Sequence, residues 1–255
     1  MRISLTFQSE KPYIDLPINY NYLIQSVIYR NLASELATFL HEESFHLGKR
    51  KFTLFVFSRL MGQSQFLRES KRIRFFGPIR LLLASPFEPF IRGISQIILK
   101  EGIYFGEEKL QVTKLEVIPK VHTEQETVQV MTLSPVIAYS TLLKPEGGKY
   151  TLYFTPKEGD YIRILTENLI RKGKILYGEE TSFNSLQIRP VGRFKQEVVL
   201  YKGTVLKGHS GGFILEGDPR LIDIALDAGL GSKNSMGFGF VYPRAEKISS
   251  THQWR

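Results

Sequence analysis

The chain has 255 residues, 42% of them hydrophobic, a formal net charge of +9 and no cysteine. That length holds one large domain or two small ones, with ample apolar content for a packed core. The composition excludes a disulfide framework, a thiolate metal site and a cysteine nucleophile, and no run approaches the roughly 20 apolar residues of a membrane span. The opening residues, MRISLTFQSEKPY, lack the apolar segment of a signal peptide. A soluble cytoplasmic protein is expected, and its basic balance suits a polyanionic partner.

In chain order, residues 2–8 alternate apolar and polar side chains as a strand does. From 22 to about 40, Leu23, Ile24, Val27, Ile28, Leu32, Leu36 and Leu40 recur at helical spacing. Residues 52–60 read as an aromatic-rich strand, and 73–76 with 79–83 as another strand or a bent pair. Ser85-Pro86-Phe87-Glu88 has the form of a capping box with proline at the first helical position. Ile91, Ile94, Ile97, Ile98 and Leu99 carry that helix to a glycine stop at Gly102. Residues 110–117 close the half as a strand, in the order βαββαβ.

After the polar segment 122–127, residues 128–134 and 150–155 read as strands and 161–173 as a helix. Strands follow at 186–188, 194–201 and 213–215. Asp218-Pro219 starts a helix whose apolar residues, Leu221, Ile222, Ala225 and Leu226, end at Gly229. Phe238, Phe240 and Tyr242 then alternate as a last strand. The second half repeats the order of the first with extra strand material. The expected fold is α+β: two tandem ferredoxin-like (RRM-like) βαββαβ domains over 1–121 and 126–245, with a tail at 246–255.

Between the last helix and strand the chain reads GLGSKNSMGFGF, with Gly229, Gly231, Gly237 and Gly239 around Lys233 and Asn234. Glycine is costly to order, so this density needs a reason. The reason expected from the sequence is a bare main-chain cradle on whose N–H groups a phosphate lies. The order helix, loop, strand is the reverse of a Walker loop or a dinucleotide fingerprint. Basic clusters stand at Lys49-Arg50-Lys51 and at Arg68, Lys71, Arg72 and Arg74. Each reads either as a solvated face or as a polyanion contact.

This motif, at this place in the chain, resembles the glycine loop of the RAMP superfamily of CRISPR-associated RNA-binding proteins. More narrowly, it resembles that of the Cas-six family of repeat endoribonucleases. The resemblance covers essentially the whole chain, because RAMP proteins share the tandem arrangement. The segment NYNYLIQSVIYRNLASELATFLHEE is similar to the family's N-terminal region, where a tyrosine in the first helix and a histidine in a Leu-His-Glu context serve in catalysis. Carried over, these are Tyr29 and His41. The family's lysine falls within Lys49-Arg50-Lys51, with Lys51 the first choice and Lys49 the alternate, and Ser58 matches the serine near the end of the following strand. The resemblance implies metal-independent cleavage of CRISPR repeat RNA by its own 2′-hydroxyl, giving 2′,3′-cyclic phosphate and 5′-hydroxyl ends. Lys49, Arg50, Arg189, Arg193, Lys195, Lys233, Asn234 and the four glycines are the expected RNA contacts.

The residue types fit that chemistry. Histidine exchanges protons near neutral pH, and lysine stabilises developing phosphorane charge. Tyrosine is a weak base at its ordinary pKa near 10. On one straight helix Tyr29 and His41 would stand about 18 Å apart, so for the two to work together the helix must break, and poor helix formers place the break around 31–34. His46, beside the lysines, is the rival histidine. His209 sits among glycines and reads as a loop residue. None of the five histidines forms a metal-binding set; His41, Glu42, Glu43 and His46 lack further ligands, and neither metal nor other cofactor is expected. The alternative function is a RAMP-type subunit that holds RNA without cutting it; a weaker one is a general RNA-binding protein outside CRISPR. The expected partners are CRISPR repeat RNA and subunits of an interference complex, for a monomer or homodimer.

Overall fold

The computed structural model describes residues 1–106, 108–119 and 127–244. The expected domain limits at 121, 126 and 245, the tail 246–255, His122 and His252 lie outside these residues. Along strand β1 (Arg2–Ser9), Ile3, Leu5 and Phe7 alternate with polar neighbours and turn into the core. Strand β2 (Tyr13–Pro17) leads to helix α1 (Asn21–Arg30), which buries Ile24, Val27 and Ile28. The chain then breaks at 31–33. Asn31 donates back to the Val27 carbonyl through both its Nδ2 at 2.9 Å and its N–H at 3.1 Å, so its side chain braces the last turn of the helix. Helix α2 (Ser34–Thr38) continues into a π-helical turn over Phe39–Glu43.

Strands β3 (Phe45–Leu47) and β4 (Arg50–Phe52) form a hairpin, followed by β5 (Val56–Phe57), β6 (Met61–Leu67) and β7 (Arg72–Ala84). Helix α3 (Glu88–Glu101), β8 (Ile103–Phe105) and β9 (Glu108–Ile118) complete the half. The sheet runs β2-β7-β1-β9-β8, with β5 and β6 also paired to β7. Its core order β9-β1-β7-β6 is that of a ferredoxin-like unit.

The second half contains β10 (Thr127–Thr132), a hairpin of β11 (Tyr139–Leu143) and β12 (Lys149–Tyr153), and α4 (Gly159–Tyr177). It continues with β13 (Leu186–Tyr201), β14 (Thr204–Gly217), α5 (Pro219–Ala228) and β15 (Val241–Pro243). Its sheet order, β13-β14-β10-β15, is the same ferredoxin-like order, with the β11–β12 hairpin inserted.

Several elements differ from their sequence reading. The strand expected over 52–60 is fragmented. Leu54 takes a left-handed φ of 49°, which sends Leu54 into the second half's core and Phe55 into the first's. Residues 73–83 form one strand bent at Gly77, and 186–201 one strand with an irregularity between Val191 and Lys195. Helix α3 starts after Phe87: the Ser85 hydroxyl accepts from Phe87 N–H and donates to the Leu54 carbonyl, so it closes a turn ahead of the helix. His209 is not on a loop. It lies within β14 and is buried, because β13 and β14 pair along nearly their whole length.

The halves meet where Val56, Met61, Leu82 and Ala84 pack on Phe240 and Tyr242. Arg2 and Asp227, both buried, pair across this contact at 3.1 Å. No helix among the described residues is long and apolar enough to cross a membrane.

Candidate functional site

The glycine loop is built inward. Gly237 and Gly239 hold φ of 83° and 78°, a region L side chains rarely adopt. A Cβ on Gly239 would lie 1.9 Å from the Leu230 carbonyl oxygen, and one on Gly237 would lie 2.3 Å from the Phe57 ring. Gly229 and Gly231 are likewise buried against protein atoms. Three of the loop's N–H groups are spent on its own packing: Leu230 donates to Gly239, Gly239 to Pro135 and Ser232 to Ile137 at 2.8 to 2.9 Å. The expected bare cradle for phosphate is therefore not what these glycines make. They let the loop pack on its own backbone and on Phe57, and they leave residues 232–236 at the surface.

Those surface residues border a groove of about 760 Å³. Its other walls are residues 50–54, the inner strand of the inserted hairpin and one face of α4. Among the described residues, six cations line it (Arg50, Lys51, Arg163, Arg171, Lys172 and Lys233) against one carboxylate, Glu167. Arg163 and Arg171 both bond Glu167 at 2.8 Å. A concave surface with this balance concentrates polyanions.

Lys172, one of the six, carries no sequence signal beyond its place on an amphipathic helix. Its residue is 2% exposed. Its ammonium donates to the Ala228 and Gly229 carbonyls at 3.0 and 2.7 Å and to Asn234 Oδ1 at 2.8 Å. Burial pushes its pKa down to about 7, while three acceptors at the negative end of α5 suit three ammonium protons. Asn234, expected to touch RNA, is committed to this brace: its Nδ2 donates to the Leu230 and Phe238 carbonyls. Lys233 stays at the groove, 5.7 Å from the centre of the Tyr139 ring.

The first half grips the same loop through one stripe of α1. Asn21 Nδ2 donates to the Met236 and Gly237 carbonyls, and Gln25 Nε2 to the Ser235 carbonyl at 2.8 Å. Gln25 Oε1 also accepts from the Tyr201 hydroxyl. Tyr29 follows one turn on, on the same side of the helix. The break at 31–33 folds α2 and the π-helical turn back, so that the His41 ring lies edge-to-face 6.2 Å from the Tyr29 ring. Lys51 Nζ reaches the Glu42 carbonyl at 2.5 Å, which places the ammonium one residue from His41. His41 is exposed; Tyr29 is partly buried, and burial pushes its phenol up to about 12.

The remaining expected residues fall in different places. His46 is exposed on β3, paired across the hairpin with Lys51. Lys49 sits at the tip of that hairpin, outside the groove lining that includes Arg50 and Lys51. Arg189, Arg193 and Lys195 are exposed on β13 away from the groove, and Arg189 pairs with Glu216 at 2.7 Å. The far end of the same strand reaches the first half, where Glu197 pairs with Arg59 and Leu200 N–H donates to Asn19. Among the described residues no three His, Asp or Glu gather as metal ligands.

Two ferredoxin-like halves, with a glycine loop from the second braced on the first helix, define the architecture of this chain. A family model described as CRISPR associated protein Cas6, C-terminal, matches residues 116–243. The chain belongs to the Cas6 family. A Methanocaldococcus jannaschii protein named CRISPR-associated endoribonuclease Cas6 1 is 28% identical over 94% of this chain and 92% of its own. A Pyrococcus furiosus CRISPR-associated endoribonuclease Cas6 is 26% identical over 92% of this chain and 86% of its own. A solved structure described as a Cas6-related protein from Pyrococcus furiosus superposes with a TM-score of 0.82 at 19% identity, covering 97% of this chain and 99% of that one. Another, described as an RAMP protein binding different RNA substrates, gives 0.80 at 21% identity over 95% and 99%.

Proposed function

We propose that this protein is a metal-independent endoribonuclease that cuts CRISPR repeat RNA within precursor transcripts. The observation that carries the reading is the break after α1, which brings Tyr29, His41 and Lys51 into one cluster at the edge of a basic groove. The names of the curated relatives support the reaction class.

The substrate supplies its own nucleophile. His41 takes the proton of a 2′-hydroxyl as that oxygen bonds to the adjacent phosphorus. Lys51 stabilises the charge on the non-bridging oxygens. The P–O5′ bond breaks, and the phenol of Tyr29, kept protonated by burial, delivers a proton to the leaving oxygen. A 2′,3′-cyclic phosphate and a 5′-hydroxyl result. Cations of the groove hold the backbone, and contacts to bases select the repeat.

The test is single-turnover incubation of the protein with repeat RNA in EDTA, with the product ends identified. One cut with those two ends is the expected result. Tight binding with no cut, for every RNA of the same locus, would assign instead a RAMP-type binding subunit. Equal binding of unrelated RNAs would place the protein outside repeat processing.

A further inference from the structure

The cluster Arg68, Lys71, Arg72 and Arg74 has no part in the groove. It stands at one end of the first half's sheet, on the β6–β7 hairpin. Three strands run side by side there. Register places Tyr13, Phe76 and Gln63 in one row and Asp15, Arg74 and Gln65 in the next, with Pro17, Arg72 and Leu67 beyond. With a side-chain period of two, these rows share one face of the sheet. It is the face opposite the helices, since the alternate residue Phe75 is buried in the core.

Further along the same face the second half covers the sheet, and the residues there are apolar: Met61 and Leu82 pack on Phe240 and Tyr242. The uncovered part has a different composition. Tyr13 is 40% exposed, and its ring lies 6.3 Å from the Phe76 ring, edge-on at 63°. The Arg74 guanidinium stacks 3.8 Å from the Tyr13 ring centre. Arg74 is held flat by two bonds of 2.8 Å to Asp15. Gln63 and Gln65, both exposed, flank these rings with donor and acceptor atoms. The Asp15–Arg74 and Tyr13–Phe76 pairs steady the sheet as cross-strand neighbours do, yet they leave the Tyr13 ring and the guanidinium partly exposed, and an apolar docking face would not carry two glutamines and four arginines and lysines.

We infer that this open sheet face is a second RNA-binding surface, on which unpaired bases stack against Phe76 and the Tyr13–Arg74 pair while Gln63, Gln65 and Arg72 contact base edges and phosphates. Aromatic rings and guanidinium planes are the usual stacking partners of splayed bases, and the ββ-face of this topology can present them. Arg68 and Lys71 extend the positive charge along the hairpin end, and Arg80 continues it toward the inter-half boundary. The occupant is a single-stranded segment, because a flat, three-strand platform gives stacking area and no groove for a duplex. The inference adds a site to the proposed reaction without depending on it: the face binds whether or not His41 cuts.

The experiment uses the full chain and fluorescein-labelled single-stranded repeat RNA carrying 4-thiouridine at successive positions. Photocrosslinks to the peptides containing Tyr13 and Phe76 are expected in the wild-type protein. In anisotropy titrations Phe76→Ala and Tyr13→Ala each raise Kd about tenfold, the scale of one lost base stack. Phe76→Trp and Tyr13→Phe, which keep a ring, stay within about twofold of the wild type on the same stacking logic. The single-turnover cleavage rate at saturating RNA is unchanged in all four. Crosslinks confined to the groove would overturn the inference, as would folded alanine variants with wild-type Kd. Inorganic polyphosphate that displaces RNA from this face as well as RNA itself does would also overturn it, since it offers charge without bases. Should the alanine variants fail to fold, the wild-type crosslinks decide. Loss of cleavage with these crosslinks intact would sink the catalytic reading and leave this one standing.

Discussion

His41 and Lys172 show how differently one residue can act. His41 is exposed beside Tyr29, so its removal subtracts chemistry and little else. His41→Ala is expected to slow single-turnover cleavage by ~10²-fold or more, the usual contribution of general acid–base catalysis, with RNA affinity largely kept. A full-speed variant would move the assignment to His46. Lys172 is enclosed, so its titration belongs to stability. Its folded pKa is about 7, well below that of a free lysine, near 10.4. Between those values the unfolded chain holds a proton that the native chain has shed, so this group's destabilising effect is fully present below the window and is relieved as pH rises. Each pH unit is worth roughly 1.4 kcal/mol. Urea unfolding at pH 7.5 and 9 should show the wild type gaining about 2 kcal/mol relative to Lys172→Met. Parallel curves for the two proteins would rule this out.

At the scale of elements, the α1–α2 break and the glycine loop carry the site. Asn31 is readable as a poor helix former, and a break near it follows from the reach of one phosphate. The π-helical turn at Phe39–Glu43 that completes the approach of His41 has no local signature. Asn31→Ala removes the side chain that braces the last turn of α1. It is expected to lower the cleavage rate about tenfold, consistent with the sensitivity of catalysis to ~1 Å displacements, with near-wild-type binding. The glycines were legible as a demand for close approach but not as to what approaches. At Gly239 it is the Leu230 carbonyl. Gly239→Ala should therefore cost about 2 kcal/mol or more of stability, from the left-handed φ and the overlap together. Thermal melts without RNA would reveal this, whereas a phosphate cradle would show its loss only in binding.

Across the whole molecule the two halves are joined at the glycine loop, which the second half supplies and the first helix holds through Asn21 and Gln25. The buried Arg2–Asp227 pair ties the first strand to the last helix at this junction. Arg2→Met leaves Asp227 with the N-terminal ammonium at 3.1 Å as a remaining partner, so it should destabilise by about 1.5–3 kcal/mol, the range for a bond to a charged group, rather than by the cost of a wholly unpaired buried charge; a chemical melt within about 1 kcal/mol of the wild type would contradict it. Periodicity and punctuation along the chain determined the two βαββαβ units, because alternation, caps and glycine stops are local and each half repeats them. Resemblance to the Cas-six N-terminal region, not local pattern, singled out Tyr29, His41 and the lysine cluster. Only the tertiary structure decided that Lys51 rather than Lys49 borders the groove and that Arg189, Arg193 and Lys195 do not. It alone placed Asn21, Gln25 and Lys172 around the loop, and showed that His209 and the four glycines face protein. Those outcomes depend on which surfaces of two separately legible units meet, and docking is set by shape and burial summed over distant residues, which no short window of sequence contains.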